Sequence, residues 1–333
     1  MNEVRISLVG FGIVGHGFME VIRRKRDVLR NQGLDLNLVS VTDITGTLYD
    51  QDGVDLDRLR DARTLDGIAN MEAIGQAAIE EIESDLVVEV TPTNIDHGQP
   101  GLGHIETALS QGKHVVTSNK GPLVVAYKKL NELAEENGVM LKYEATVGGT
   151  MPLISLIENN LVGNKISNIR GIFNGTCNYI LTRMVEEKYP YSYALTEAQE
   201  LGIAEADPTY DVEGVDTAGK VVILANSIFD MDVKYSDVDV TGITEITTEA
   251  LNLARERGYL VKLIGDIPKL TVKPMLVPRR SPLAVGGTLN AASIETDLSG
   301  TITVTGLGAG SIETASAILS DIVSIYTTKP NTL

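Results

Sequence analysis

Lys220 stands four residues after Asp216 in a segment, Asp216–Phe229, that is apolar almost all the way round. In a helix that spacing puts both side chains on one face. A lysine within a largely buried helix must be paired, desolvated or turned to a cavity, because an isolated ammonium is costly to bury. Held that way, it can deliver a proton or meet negative charge developing on an oxygen. The same spacing also suits an ordinary ion pair worth roughly 0.2–0.5 kcal/mol. Upstream, the stretch Glu205-Ala206-Asp207-Pro208-Thr209-Tyr210-Asp211-Val212-Glu213-Gly214-Val215-Asp216 gathers carboxylates beside that lysine. Such a group suits the ammonium of a small substrate; a solvated acidic surface and a cation site are its other uses. A second lysine, Lys120 in Thr117-Ser118-Asn119-Lys120, lies just past a strand end, where it is either a surface cation or a group facing a ligand.

A different chemistry is written at the start of the chain. Gly10-Phe11-Gly12-Ile13-Val14-Gly15 follows one strand pattern and opens a helix pattern. In that setting the glycines permit a tight turn and close approach of backbone to a pyrophosphate, which then faces the helix N-terminus. Asp43 ends the second strand pattern, where an acid accepts from the adenosine ribose hydroxyls and disfavours a 2'-phosphate. NAD is thereby favoured, with NADP left open. The distance from fingerprint to acid exceeds the usual ~20 residues, and an insertion over residues 23–33 accounts for it, so Asp43 as a simple loop cap is the alternative. Thr91-Pro92-Thr93 follows the run Leu86–Val90 and would lie beside the nicotinamide half, or be no more than a strand-ending turn.

These residues need a frame. Apolar runs at Val4–Val9, Leu38–Thr42, Leu86–Val90, His114–Thr117 and Val139–Tyr143 alternate with helix patterns from Ile13, near Gly103–Gln111 and over Pro122–Asn137. That alternation predicts a Rossmann-type parallel sheet, an α/β dinucleotide-binding domain over residues 1–144. Residues 145–305 change character, with helices at Pro152–Asn160, Cys177–Lys188 and Asp216–Phe229. Strands are expected at Ile166–Phe173, Leu260–Ile267, Leu270–Leu276 and Thr301–Thr305. They describe an α+β substrate and dimerisation domain with a mixed or antiparallel sheet. Residues 306–333, a glycine-rich turn at Gly306–Gly310 followed by a helix over Ser311–Tyr326, are expected to return to the first domain.

Composition narrows the function classes. At 333 residues, 43% hydrophobic and 22% charged, the chain has the make-up of a globular enzyme. A net charge of −17 opposes a phosphate backbone, so nucleic acid is not expected as a partner. The one basic run, Arg23-Arg24-Lys25-Arg26, falls where the first helix is expected to end, where cations suit the helix dipole. No run reaches the roughly 18 apolar residues of a membrane span, and the start carries no secretory pattern, so no membrane association is expected. The single cysteine, Cys177, rules out an intrachain disulfide, and a cytoplasmic location fits best. None of His16, His97, His104 and His114 sits in a zinc-ligand pattern, so no catalytic zinc is expected.

Taken together, Gly10–Gly15, Ser118-Asn119-Lys120, Glu144-Ala145-Thr146-Val147-Gly148-Gly149, Asn174-Gly175-Thr176-Cys177-Asn178-Tyr179-Ile180-Leu181, Glu205–Lys220 and Gly306–Gly310 resemble homoserine dehydrogenase in the family's own order over nearly the whole chain. The resemblance implies an NAD(P)-dependent enzyme that interconverts L-aspartate 4-semialdehyde and L-homoserine on the route to threonine and methionine. It also implies residue roles. Lys220 would protonate the aldehyde oxygen as hydride arrives, with Lys120 a second catalytic lysine at the nicotinamide end. Glu205 would bind the substrate's amino group, while Asp211 and Asp216 hold the substrate and orient Lys220. Gly10, Phe11, Gly12, Ile13, Val14, Gly15, Asp43, Thr91, Lys120 and Gly308 would contact the cofactor. A monovalent cation, Na⁺ or K⁺, would be bound by Glu144 and main-chain oxygens of Val147, Gly149 and Met151. A homodimer through the second domain is the family's usual assembly.

Two features depart from the family's fuller pattern. Cys177 stands where a threonine is more usual, and a small thiol there serves packing better than chemistry. The chain ends at Leu333 with no ACT or aspartate kinase domain, so threonine feedback through such a domain is not expected. Two other readings share part of the pattern. A dehydrogenase of another semialdehyde or imine would have the fingerprint without the Glu205–Lys220 block, and a nucleotide sensor would have lysines that only make ion pairs.

Overall fold

The computed structural model describes residues 1–327. The chain divides into two compact units, Met1–Thr146 with the chain from Gly310 onward, and Val147–Ala309.

In the first unit a six-stranded sheet is built from β1 (Asn2–Val9), β2 (Leu34–Asp43), β3 (Gly46–Tyr49), β4 (Leu86–Glu89), β5 (His114–Thr117) and β6 (Leu141–Lys142). Its order is β3-β2-β1-β4-β5-β6, with every pairing parallel except that of β2 with β3. The crossovers are α1 (Ile13–Asn31), α2 (Leu56–Leu59), α3 (Gly75–Glu81), α4 (Gly101–Ser110) and α5 (Lys120–Glu136). Central parallel strands are covered on both faces and so are rich in apolar residues. Leu86, Val87 and Val88 of β4 are all fully buried, and so are Val4, Ile6 and Leu8 of β1. The C-terminal helix, Ser311–Thr327, places Ala315, Ile318 and Ile322 in the same core as Phe18 and Ile22 of α1.

Two expectations are corrected here. The basic run Arg23–Arg26 does not end the first helix, because α1 continues to Asn31. Arg23 and Arg24 reach back to Glu20 at i,i+3 and i,i+4, pairs that extend a helix instead of closing it. Most of the extra residues ahead of Asp43 are therefore additional turns of α1. The second correction is at β3, which makes the edge of the otherwise parallel sheet antiparallel by folding back as a hairpin pairing Asp43 with Gly46.

The second unit carries α6 (Gly175–Glu186), α7 (Tyr191–Glu200), α8 (Thr209–Val212), α9 (Val215–Phe229) and α10 (Thr248–Glu256). Its sheet is formed by β7 (Ile166–Ile172), β8 (Asp239–Val240), β9 (Tyr259–Asp266), β10 (Thr271–Pro278), β11 (Leu289–Thr296) and β12 (Thr301–Leu307). The strand order is β12-β11-β7-β9-β10-β8, mixed because β8 alone pairs in parallel. β12 runs on through Gly306 and Leu307, so half of the expected glycine-rich turn is strand. The helix expected over Pro152–Asn160 is a single wide turn, a π-helix at Leu156–Asn160. Among the described residues no helix is long and apolar enough to cross a membrane.

Lys262 of β9 is 3% exposed and donates to Asn178 Oδ1 (2.7 Å) and Thr182 Oγ1 (3.3 Å), both neutral acceptors on α6. Burial without a paired carboxylate pushes its ammonium down to about 8 from 10.5. Between those values the unfolded chain holds more protons than the folded one, so stability gained at this site rises with pH across the window and is absent below it. A Lys262→Met variant should therefore lose ground to the parent as pH rises from 8 to 10.5. Thermal melts of both proteins over that range check this; a Tm difference that does not change with pH contradicts it.

Candidate active site

The glycine-rich turn Gly10–Gly15 is closely packed at one glycine and open at another. Gly10 has φ +116°, and a Cβ there would sit 2.7 Å from the Val90 carbonyl oxygen. Gly12, by contrast, has only open space where a Cβ would stand. It precedes α1 with no side-chain cap, and the first turn carries no acidic residue. Uncapped N–H groups and the positive end of a 19-residue helix thus face a cradle that a side chain would fill, the arrangement that accepts a pyrophosphate. Phe11 is buried while Gly12 and Ile13 are exposed at the mouth. His16 packs its ring 4.3 Å from Phe11, brings Nε2 to 2.7 Å from the Ala62 carbonyl, and is pushed towards neutrality by burial. It forms a wall of the turn.

Asp43 closes β2 as expected, and its carboxylate is already engaged. Oδ1 accepts from Thr45 N and Thr45 Oγ1, each at 2.6 Å, and Oδ2 accepts from Leu65 N at 2.8 Å. The acid therefore organises its own hairpin and fixes Leu65. A carboxylate offers about four lone-pair sites, so room remains for a ribose hydroxyl. Thr91 follows β4 and is tied to Glu89, from which its N–H is 3.0 Å. Lys120 is the first residue of α5, half-buried, with Asn119 as the N-cap.

In the second unit, Lys220 is 6% exposed in the middle of α9. Its Nζ donates to Asp216 Oδ2 and to the Phe173 carbonyl, both at 2.7 Å. Asp216 sits in the first turn of α9, where a negative charge suits the helix dipole. Asn174 links the group: its Nδ2 donates to Asp216 Oδ2 (3.0 Å) and Asp211 Oδ1 (2.7 Å), while its Oδ1 caps α6 by accepting from Cys177 N (2.9 Å). Burial, then the neighbouring Asp216 charge, raises the Asp211 carboxyl. Cys177 is a fully buried thiol donating to the Asp211 carbonyl, and burial pushes it up, so it is no nucleophile.

The structure thus brings Lys220, Asp216 and Asp211 into one hydrogen-bonded group. Glu205 lies on the exposed segment after α7, its carbonyl accepting from Gln199 Nε2. Gly308 follows β12, and a Cβ there would collide with the Asn290 amide. Of the expected cation ligands, Glu144 is in the first unit, buried, with its N–H donating to Asp321 Oδ2 (2.9 Å). Val147, Gly149 and Met151 are in the second, where the Met151 oxygen accepts from Leu153 N (2.8 Å). Among the described residues no three or more His, Cys, Asp or Glu side chains are grouped to hold a metal. Asn174 and Glu89 were given no role by sequence reasoning. Their signals were an Asn before a helix start and a lone acid in the run Leu86–Val90.

A dinucleotide cradle on a 3-2-1-4-5-6 sheet and a separate unit holding a buried lysine–carboxylate group define an NAD(P)-dependent oxidoreductase. Residues 10–144 match the model of the homoserine dehydrogenase NAD-binding domain, and residues 152–323 match that of homoserine dehydrogenase. The chain belongs to the homoserine dehydrogenase family. Homoserine dehydrogenase of Methanocaldococcus jannaschii is 51% identical over 329 residues, covering 96% of this chain and 98% of that one. An NAD(+)-dependent homoserine dehydrogenase of Pseudomonas canavaninivorans is 37% identical over 98% of this chain and 97% of its own. A hyperthermophilic archaeal homoserine dehydrogenase solved in complex with NADPH superposes with a TM-score of 0.85 at 31% identity, covering 99% of each chain.

The open space at Gly12 separates folding from binding. Gly12→Ala should leave stability unchanged or raise it by about 0.4–1 kcal/mol, because its φ of −88° is open to any residue. The added methyl should nonetheless weaken NADH binding about tenfold or more, since it stands where the pyrophosphate must approach. Fluorescence titration with NADH alongside a thermal melt reads both; unchanged affinity would refute the cradle.

Proposed function

We propose that the chain catalyses the NAD(P)-dependent interconversion of L-homoserine and L-aspartate 4-semialdehyde. The observation that carries this reading is the state of the Lys220 ammonium. A lysine ammonium has three donors. Two are held by Asp216 and the Phe173 carbonyl, which leaves the third to meet a substrate oxygen. Gly10–Gly15 would hold NAD(P), which when bound would supply or take the hydride.

In the reducing direction Lys220 gives a proton to the carbonyl oxygen as negative charge develops there, and in the oxidising direction it takes the hydroxyl proton back. Asp216 fixes the ammonium in place, so little reorganisation is needed when the reaction occurs. Asp211 is joined to that group through Asn174 and is assigned with Asp216 to holding the substrate and orienting Lys220, while the exposed Glu205 is assigned to the substrate's amino group. Lys120, at the N-terminus of α5, is assigned to the nicotinamide end and Gly308 to the cofactor. Asp43 favours NAD, since a 2'-phosphate would meet a carboxylate already fixed by its hairpin. Glu144 with main-chain oxygens of Val147, Gly149 and Met151 is the candidate monovalent-cation set, and a cytoplasmic setting suits the single buried thiol. A homodimer through the second unit is supported by the β9–β10 hairpin, which leaves Tyr259 39% and Leu276 60% exposed.

Purified protein should reduce NAD⁺ in a homoserine-dependent manner, with a higher kcat/KM than for NADP⁺. Lys220→Ala should lower kcat by about 10²-fold or more. Nicotinamide absorbance reads both, and cofactor binding without turnover on homoserine would sink the reading. Light scattering should give twice the 35.8 kDa chain mass; the single mass would remove the dimer.

A further inference from the structure

Glu89 is the last residue of β4, and its side chain is fully buried. A buried carboxylate must be paired or hydrogen-bonded to persist. The N–H and hydroxyl of Thr91 both donate to Oε1, and Thr117 Oγ1 lies 3.0 Å from Oε2 and 2.9 Å from the Glu89 carbonyl. His104 of α4, itself 6% exposed, stands 3.6 Å away through Nδ1, beyond hydrogen-bond reach but within electrostatic contact. Gly101 presses from the same helix, where a Cβ would meet both Glu89 Oε2 and the Asn119 amide.

From this carboxylate the order passes to two loops at the carboxyl edge of the parallel sheet, the edge where ligands bind in such folds. One loop begins at Thr91. The other is reached through Thr117, whose hydroxyl oxygen accepts from Asn119 N at 2.9 Å. Asn119 Oδ1 then accepts from Gly121 N at 3.1 Å and caps α5, whose first residue is Lys120. The Asn119 amide closes the circuit with 3.4 Å contacts to Thr91 Oγ1 and the Pro92 carbonyl. A buried acid here does nothing for the core that a leucine would not do better. What it provides is a fixed relation between the Thr91 loop and the start of α5.

We propose that Glu89 is a positioning residue of the dehydrogenase reaction, setting the Lys120 end of α5 against the Thr91 loop through Thr117 and Asn119. This rests on the assignment of Thr91 and Lys120 to the nicotinamide end. A positional error of about 1 Å at a reacting group costs up to 10²-fold in rate. Glu89→Leu keeps a comparable volume but offers no acceptor to the Thr91 N–H and hydroxyl and no polar partner to Thr117. It should lower kcat by about tenfold to a hundredfold, while homoserine KM and NADH affinity stay within about threefold of the parent. Thr117→Val should reproduce the loss, Thr117→Ser should recover most of it, and the double variant Glu89→Leu/Thr117→Val should fall no further than either single change.

The measurement is steady-state kinetics on the full chain with each variant, with active sites counted by NADH titration. Parent turnover on homoserine tests the reading beneath the proposal separately. With the parent active, the proposal is overturned if Glu89→Leu keeps kcat within about twofold. It is equally overturned if its loss matches the fraction of sites that no longer bind NADH, or if the Thr117→Ser and Thr117→Val variants are equally impaired.

Discussion

Burying one ammonium sets the requirements for the second unit. Removing one partner from a buried ion pair typically costs about 3–5 kcal/mol, a large share of the roughly 5–15 kcal/mol by which a domain is stable. Lys220 can therefore be retained in the middle of α9 only if its acceptors are fixed by other parts of the chain. Phe173 presents its carbonyl at the end of β7, Asp216 comes from the first turn of the lysine's own helix, and Asn174 holds Asp216 while capping α6. One polar group thus fixes the end of a strand and the start of two helices. The raised Asp211 carboxyl shows what this arrangement gives up, since burial first, and then the neighbouring Asp216 charge, disfavours its ionised form.

The first unit does the opposite, presenting a helix N-terminus that no side chain caps. The N-terminus of α1 has no side-chain cap and an open space at Gly12, while Gly10 is pressed so closely on Val90 that only glycine fits. Nearby, the fully buried Glu89 satisfies its loops from within. The uncapped start of α1, the arrangement that accepts an anion, thus belongs to the same unit as the hydrogen-bonded polar circuit around Glu89.

Much of this was legible in the sequence, for physical reasons. β4 and β5 announce themselves through the apolar runs Leu86-Val87-Val88 and Val115-Val116, as strands covered on both faces do, and β1 through its buried Val4, Ile6, Leu8 and Val9. The Lys220–Asp216 pair was visible because helical spacing alone puts the two side chains together. β11 was hidden by its small residues: a Cβ on Gly171 of β7 would strike the Ala291 carbonyl, so Ala291, Ala292 and Ser293 fill a tight space and give no strong strand pattern. The length of α1 was misread because a basic run suits a helix end as well as an exposed helical face, and only its pairing with Glu20 decides between them. Asn174 could not be recognised as the link, since its acid partners lie 37 and 42 residues away.

The most direct test of the central claim, that Asp216 serves the reaction by holding Lys220, is a double-mutant cycle on kcat/KM for homoserine oxidation with Lys220→Ala, Asp216→Asn and the pair. If the two side chains act as one unit, the double variant is no slower than Lys220→Ala alone, and the changes are far from additive. Losses that multiply would show that Asp216 works independently of the lysine, and would contradict the role given to it here.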